Sequence, residues 1–123
     1  MTSHFEVENR NEYLWISAQG TRSRDSILSL LRDILAACAK EMVKKALIDI
    51  RAMKGQLEIL EAYNLASKEL FAMRDRELLV RAAVVDLKEN EQRYRFLETV
   101  AVNRGLIMRF FNDPREGIEW LTS

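Results

Sequence analysis

The sequence predicts an α/β fold, with a mixed β-sheet that opens with an N-terminal β-hairpin, continues as alternating helices and strands, and has helices flanking it. Short runs of branched apolar residues alternate with longer segments whose apolar residues recur at helical spacing. The run KALIDIR at 45–51 is apolar almost without alternation, which is typical of a central strand covered by helices on both faces. Alternation after the hairpin predicts parallel strands joined by right-handed crossovers.

Composition narrows the class of protein. A chain of 123 residues is expected to form one domain, and its 48% hydrophobic and 31% charged residues are typical of a globular protein. Lys plus Arg and Asp plus Glu both number 19, so the zero net charge disfavours nucleic-acid binding. The sequence shows neither a membrane span nor a signal peptide. Because Cys38 is the single cysteine, no intrachain disulfide is expected, and a cytoplasmic location is predicted.

The first half of the chain predicts a hairpin, a helix and the central strand. The runs 5–8 and 13–18 flank Asn-Arg-Asn at 9–11, where asparagine suits a turn, and Gly20 ends the hairpin. Ser23 is the expected N-cap of a helix over 21–42, and Asp25 in its first turn suits the helix dipole. Cys38 lies on the apolar stripe of this helix and is predicted to be a buried structural thiol.

The second half predicts three more helices and two more strands. Helices are expected over 56–73 and from Asn90 to the region of Gly105, a natural residue after a helix end. Strands are expected over 78–87 and 106–111. Asp113 and Pro114 then open a final helix, with Asp as the cap and Pro at the first helical position.

Three stretches of the chain resemble a known family. The segment ALIDIR at 46–51 resembles a strand of STAS-like domains. FLETVAVNRG at 96–105 and RFFNDPREGIEWL at 109–121 resemble the later helix, last strand and final helix of the SpoIIAA-like bacterial branch of these domains. The resemblance covers most of the chain from Gly20 onward. It implies an α/β fold with helices flanking a mixed sheet, and a role that is regulatory and not enzymatic.

The resemblance also suggests where a switch would lie and which ligands to consider. In anti-sigma-factor antagonists, a serine at the start of the helix after the central strand is phosphorylated. The matching segment here, AMKGQLE at 52–58, contains no hydroxyl, so this phospho-switch is not expected. The branch is also likened in fold to the lipid-carrying SEC14 (CRAL-TRIO) domains, which implies a lipid or other amphipathic small molecule as an alternative ligand.

The expected binding site lies at the C-terminal ends of the parallel strands, where open α/β sheets bind ligands. Asp49 is expected to pair with a loop amide or with Arg51, although a catalytic role is an open alternative. Lys54 and Gly55 at a helix N-terminus would attract an anion, or form a solvated turn. The candidate ligand- or partner-binding residues are Asp49, Arg51, Met53, Lys54, Gly55, Asp86, Lys88 and Asn112.

The sequence predicts no catalytic residue, metal ligand or cofactor. His4 is the only histidine, and the four glycines are too widely separated to form a phosphate-binding loop. The first hypothesis is a non-catalytic STAS-like module acting through a protein partner or a small ligand. The alternative is a carrier or sensor of an amphipathic molecule, because the helix over 56–73 is rich in apolar residues; a small enzyme is a third hypothesis. The same helix predicts a homodimer.

Overall fold

The computed structural model describes residues 4–56, 79–103 and 107–123, together with the separate positions Glu61, Asn64 and Lys68. These three positions are helical, in agreement with the helix predicted over 56–73, but most of that segment lies outside the described residues. No described helix is long and apolar enough to cross a membrane.

Apart from the three helical positions 61, 64 and 68, the described residues form five strands and three α-helices, which follow one another in the predicted order. The predicted strand over 78–87 is shorter in the structure, and a 3₁₀ turn separates it from the next helix. The elements are β1 (His4–Asn9), β2 (Leu14–Thr21), α1 (Arg24–Glu41), β3 (Lys45–Lys54), β4 (Arg81–Val85), the 3₁₀ turn (Lys88–Asn90), α2 (Glu91–Asn103), β5 (Ile107–Phe111) and α3 (Pro114–Thr122).

The five strands form one mixed sheet in the order β1-β2-β3-β4-β5. The β1–β2 hairpin is antiparallel, and β2, β3, β4 and β5 are parallel neighbours. This arrangement confirms the predicted mixed sheet with an opening hairpin. A bulge in β3 interrupts the register with β2, because Ser17 pairs with Asp49 while Gln19 pairs with Ala52. The extra residue returns Met53 to the same core as Ile50, although the two are three positions apart.

Two apolar clusters lie on opposite faces of the sheet. On the first face, the stripe of α1 (Leu30, Ile34 and Cys38) packs with residues of β2, β3 and β4 and with Tyr94 of α2. On the second face, Leu121 of α3 packs with Leu47 of β3. The central strand is therefore buried on both faces, as its uninterrupted apolar run predicts.

Local signals set the helix ends. Ser23 caps α1 and forms a reciprocal capping box with Ser26, and Met42 ends the helix in a left-handed conformation with φ of 57°. Asp113 caps α3, with Pro114 in the first turn as predicted. A Cβ on Gly117 would lie 3.3 Å from a methyl of Leu47, so this glycine allows α3 to approach the sheet closely.

Candidate functional site

The candidate residues lie at the carboxyl edge of the sheet, meaning the end of β3 and the segments that follow β3, β4 and β5. Asp49 pairs in register with Val85, the last residue of β4, and Val85 pairs with Phe111, the last residue of β5. Strand β3 continues beyond this level to Lys54, so it extends past the end of β4 while it stays paired with β2. The strand ends therefore gather the predicted residues in one region of the molecule.

Asp49 and Arg51 form a local ion pair on β3, at the level where the pairing with β4 ends. Asp49 Oδ1 accepts hydrogen bonds from the backbone N–H and the Nε of Arg51 at 3.1 and 3.0 Å, and Oδ2 accepts from Nη2 at 2.8 Å. The predicted pairing of Asp49 with Arg51 is thus present. These bonds raise the pKa of Arg51, and they hold the half-exposed guanidinium in one orientation.

A second pair of the same form follows β5. Asp113 Oδ1 accepts from the backbone N–H of Arg115 at 3.0 Å, and Oδ2 accepts from its Nη2 at 3.2 Å. Hydrogen bonds from Arg115 lower the pKa of Asp113, and the charge of Arg51 contributes in the same direction. The two pairs therefore lie within electrostatic range of each other, although β4 separates their strands.

Asp86 occupies a different environment from the other candidates. Its side chain is fully buried, and Arg22 donates to it from Nη1 to Oδ2 at 2.9 Å and from Nη2 to Oδ1 at 2.8 Å. Tyr94 donates its hydroxyl to Oδ2 at 2.8 Å, and the backbone N–H of Leu87 donates to Oδ1 at 2.7 Å. Both carboxylate oxygens are thus occupied by internal donors, so this acid is placed as a structural anchor.

The ionisation of this buried group follows from its contacts. Burial by itself would raise the pKa of Asp86, but the hydrogen bonds from Arg22, Leu87 and Tyr94 hold it below the ordinary value. Burial and the adjacent carboxylate raise the pKa of Tyr94 far above its usual range, so its hydroxyl stays protonated and keeps donating. Arg22 also donates to the carbonyl of Ile50 at 3.0 Å, which ties the end of β2 to β3 and β4.

Arg22 and Tyr94 are members of this network that the sequence analysis did not identify. A signal was available in part, because an acid at the end of the apolar run 82–85 needs a cation if it is buried. The sequence could not show which arginine would supply that cation, since Arg22 lies 64 residues from Asp86.

The turn after β3 is presented to solvent. Lys54 and Gly55 are exposed, and Gly55 has a φ of 80° that a side chain would strain. The backbone carbonyl of Lys54 accepts from the N–H of Arg22 at 2.7 Å, and the Gln56 side chain donates to Asn90. These bonds hold the turn beside the 3₁₀ turn that carries Lys88. The helix that would follow Gly55 begins outside the described residues, so the predicted anion contact stays a prediction.

The remaining candidates differ in accessibility. Lys88 and Asn112 are exposed, whereas Met53 is buried in the core on the first face of the sheet. The exposed candidates at the carboxyl edge are therefore Arg51, Lys54, Gly55, Lys88 and Asn112, whereas Asp49 is partly buried.

Reactive groups in the described residues are few. Within 4–56, 79–103 and 107–123 no group of three or more His, Cys, Asp or Glu side chains could hold a metal ion. Burial raises the pKa of the Cys38 thiol to about 11, so it remains protonated at neutral pH, as expected for a structural cysteine. His4 is exposed on β1, where its Nε2 lies 3.2 Å from Glu6 Oε1.

Comparison with solved structures identifies the fold. An uncharacterized protein from Shewanella loihica PV-4 with a SpoIIAA-like fold superposes with a TM-score of 0.57 at 20% identity, covering 97% of this chain and 93% of that one. An anti-sigma factor antagonist from Mycobacterium paratuberculosis superposes with a TM-score of 0.62 at 12% identity, covering 99% and 96%. No family model and no curated protein matches the sequence. The chain therefore has a SpoIIAA-like fold, as its sequence predicts.

Proposed function

We propose that this SpoIIAA-like domain is a non-catalytic regulatory or interaction module, which binds a protein partner or a small ligand through the carboxyl edge of its sheet. The observation that carries the proposal is the difference in exposure between the charged side chains at this edge. Arg51, Lys54 and Lys88 are presented to solvent, whereas the buried acid, Asp86, is fully occupied by internal donors. This edge thus offers accessible charges for recognition and holds its buried carboxylate as a structural group.

The geometry of Arg51 supports binding. Its guanidinium is oriented by two hydrogen bonds to Asp49, so less side-chain freedom is lost when a partner contacts it. Arginine is enriched at protein interfaces because its planar head makes several hydrogen bonds at once. Lys54 and Lys88 form no ion pair with the described residues, and together with Arg51 they favour a partner or ligand that carries carboxylate groups.

Regulation through phosphorylation of the β3 turn is not part of this proposal. Residues 52–56, AMKGQ, contain no serine, threonine or tyrosine.

Site-specific photo-crosslinking would test the proposal in cells that produce the protein. A photoreactive residue in place of Lys54 or Lys88 is expected to capture one discrete partner, while the same residue at Arg32, exposed on α1, serves as the matched control. The partner is then purified and titrated calorimetrically, and Arg51→Glu is expected to weaken binding about tenfold or more by opposing a partner carboxylate.

A small ligand is tested by native mass spectrometry of the purified protein, in which a bound molecule would add a discrete mass that Arg51→Glu removes. Equal capture from Lys54, Lys88 and Arg32, together with no added mass, would argue against binding at the carboxyl edge. Turnover of a substrate that depends on Asp49 would contradict the non-catalytic assignment and favour the enzyme hypothesis. The carrier hypothesis and the homodimer depend on the helix over 56–73, most of which lies outside the described residues, and both stay sequence predictions.

A further inference from the structure

The two outer strands of the sheet, β1 and β5, differ in what contacts their outer backbone edges. On β5, the backbone N–H of Phe110 donates to Glu98 Oε1 of α2 at 2.7 Å, so a helix side chain occupies that edge. On β1, His4, Glu6, Val7, Glu8 and Asn9 are all exposed. Alternate residues of an edge strand direct their N–H and C=O groups away from the sheet. Among the described residues no strand pairs with the outer edge of β1, which leaves its backbone groups available for an added strand.

The side chains of β1 alternate in character between the two faces of the sheet. Glu6 and Glu8 stand beside Ser17 and Trp15 on the second face, the one that carries α3. On the first face, Phe5 lies at the margin of the core, and Val7 is 39% exposed next to the buried Ile16. A strand added beside β1 would therefore lie next to two acidic side chains on the second face and next to apolar side chains on the first.

We propose that β1 accepts an extended strand of a partner protein in which Lys or Arg residues alternate with apolar residues. Backbone hydrogen bonds to the free edge would supply part of the affinity, and the alternating side chains would supply the specificity. This surface lies on the hairpin strand at the end of the sheet away from β5 and is separate from the carboxyl edge, so the inference goes beyond the proposed function.

Charge complementarity selects this occupant. Cations placed directly opposite Glu6 and Glu8 would form favourable cross-strand pairs on the second face, and apolar residues between them would cover Val7 on the first face. Glu8 already has one cation, because Arg10 Nη2 lies 3.0 Å from its Oε2 and the Arg10 guanidinium stacks on Trp15 at 4.5 Å. Glu6 has only the imidazole of His4 beside it within the described residues, so it is the stronger determinant.

The same charges disfavour a second copy of this chain as the occupant. Two β1 strands paired antiparallel across a two-fold axis would bring Glu6 and Glu8 of one copy next to those of the other. Like charges on directly opposite residues destabilise a strand pair. A basic partner strand removes this repulsion.

The probe for the test is a nine-residue synthetic peptide in which lysine and valine alternate, titrated into the uniformly ¹⁵N-labelled full chain. The amide resonances of 4–9 and of the adjacent β2 residues are expected to shift in a saturable manner. Two control peptides are expected to bind about tenfold more weakly or worse, one with glutamate in place of lysine and one with N-methyl groups on alternate residues, which removes edge donors. Shifts confined to the carboxyl edge, or no saturable shifts at millimolar peptide, would overturn the proposal.

Charge-reversal variants identify the recognition groups. Glu6→Lys combined with Glu8→Lys is expected to weaken binding of the lysine–valine peptide about tenfold. The matched control is Asp33→Lys combined with Glu119→Lys, which makes the same change in net charge at exposed positions on α1 and α3. Because neither residue is on β1, this variant is expected to leave binding within about twofold. If both variants bound the peptide equally weakly, the cause would be the net charge of the protein and not Glu6 and Glu8, and the proposal would be overturned. Sedimentation showing a dimer whose β1 amides are protected from hydrogen exchange would assign the edge to a second copy instead.

Discussion

Two aspartate–arginine pairs near the carboxyl edge use the same chemical groups in opposite surroundings. Asp49 and Arg51 are two residues apart, and their side chains are 14% and 40% exposed. Asp86 and Arg22 are 64 residues apart, and their side chains are 0% and 7% exposed. The first pair orients a group that a partner can reach. The second joins β2 to the ends of β3 and β4 and leaves no lone pair for a ligand.

The difference in burial also sets what each pair contributes to stability. An exposed pair gains little, because water screens its attraction and holding the side chains costs entropy. A buried pair is costly to assemble, and breaking it leaves one charge without solvent or partner. Chemical identity alone therefore does not separate a binding residue from a structural one.

The largest expected effect is from removing the buried cation. Arg22→Met should lower the free energy of unfolding by about 3–5 kcal/mol, because Asp86 would remain buried without its cation. The measurement is urea unfolding followed by circular dichroism. Arg51→Met is the matched control on the exposed pair and should cost less than about 1 kcal/mol. Similar losses in the two variants would show that the contrast between the pairs is mistaken.

A smaller effect is expected from the third member of the buried network. Tyr94→Phe removes the hydroxyl donor to Asp86 but keeps the ring that stacks on Phe110 at 5.2 Å. Loss of a hydrogen bond to a charged acceptor should lower the free energy of unfolding by about 1.5–3 kcal/mol. Tyr13→Phe is a comparison at another buried tyrosine, whose hydroxyl accepts a longer bond from exposed Arg10 at 3.4 Å. It should cost less, and the reverse order would contradict the proposed anchoring role of Tyr94.

The smallest effect is expected from a modest lowering of pH, which should reduce the free energy of unfolding only slightly at first. The folded pKa of Asp86 lies below its ordinary value of 3.8, so as pH falls the unfolded chain takes up this proton before the folded chain does. The stability that Asp86 contributes is thus complete above about pH 4 and is lost as pH falls through the folded pKa.

Chemical denaturation between pH 2.5 and 6 measures this dependence. Asp86→Asn should flatten the acid limb of the stability curve. A curve for Asp86→Asn that keeps the full acid slope would assign the loss to other carboxylates.

The fold was predictable from the sequence because its signals are local. The uninterrupted apolar run at 45–51 predicted the central strand, and Ser23 and Asp113 predicted the starts of two helices that the structure contains. Element ends were less accurate, as with β4, because the last residues of a strand depend on whether a neighbour is present to pair with them. The structure shortens the predicted strand over 78–87 to Arg81–Val85.

The position of the candidate residues in the fold was predictable from the sequence, but the exposure of each residue was only partly predictable. The rule that ligands bind at the carboxyl ends of parallel strands placed Asp49, Asp86 and Asn112 together, and in the register Asp49 lies beside Val85 and Val85 beside Phe111, the residues that precede Asp86 and Asn112. It could not separate partly exposed Asp49 from fully buried Asp86, because both are acids at the end of an apolar run. Their exposure depends on which side chains pack around each acid in the folded molecule.

The sequence by itself determined the alternation of strands and helices, the doubly covered central strand and the lack of a hydroxyl in the turn after it. These properties depend on residue type and on spacing within a few turns or strand positions. Only the tertiary structure decided that Arg22 neutralises Asp86, that Arg51 stays accessible, and that Glu98 occupies the edge of β5 while no described strand pairs with the outer edge of β1. Those outcomes join residues far apart in the chain, and their free energies depend on burial, which is a property of the packed molecule.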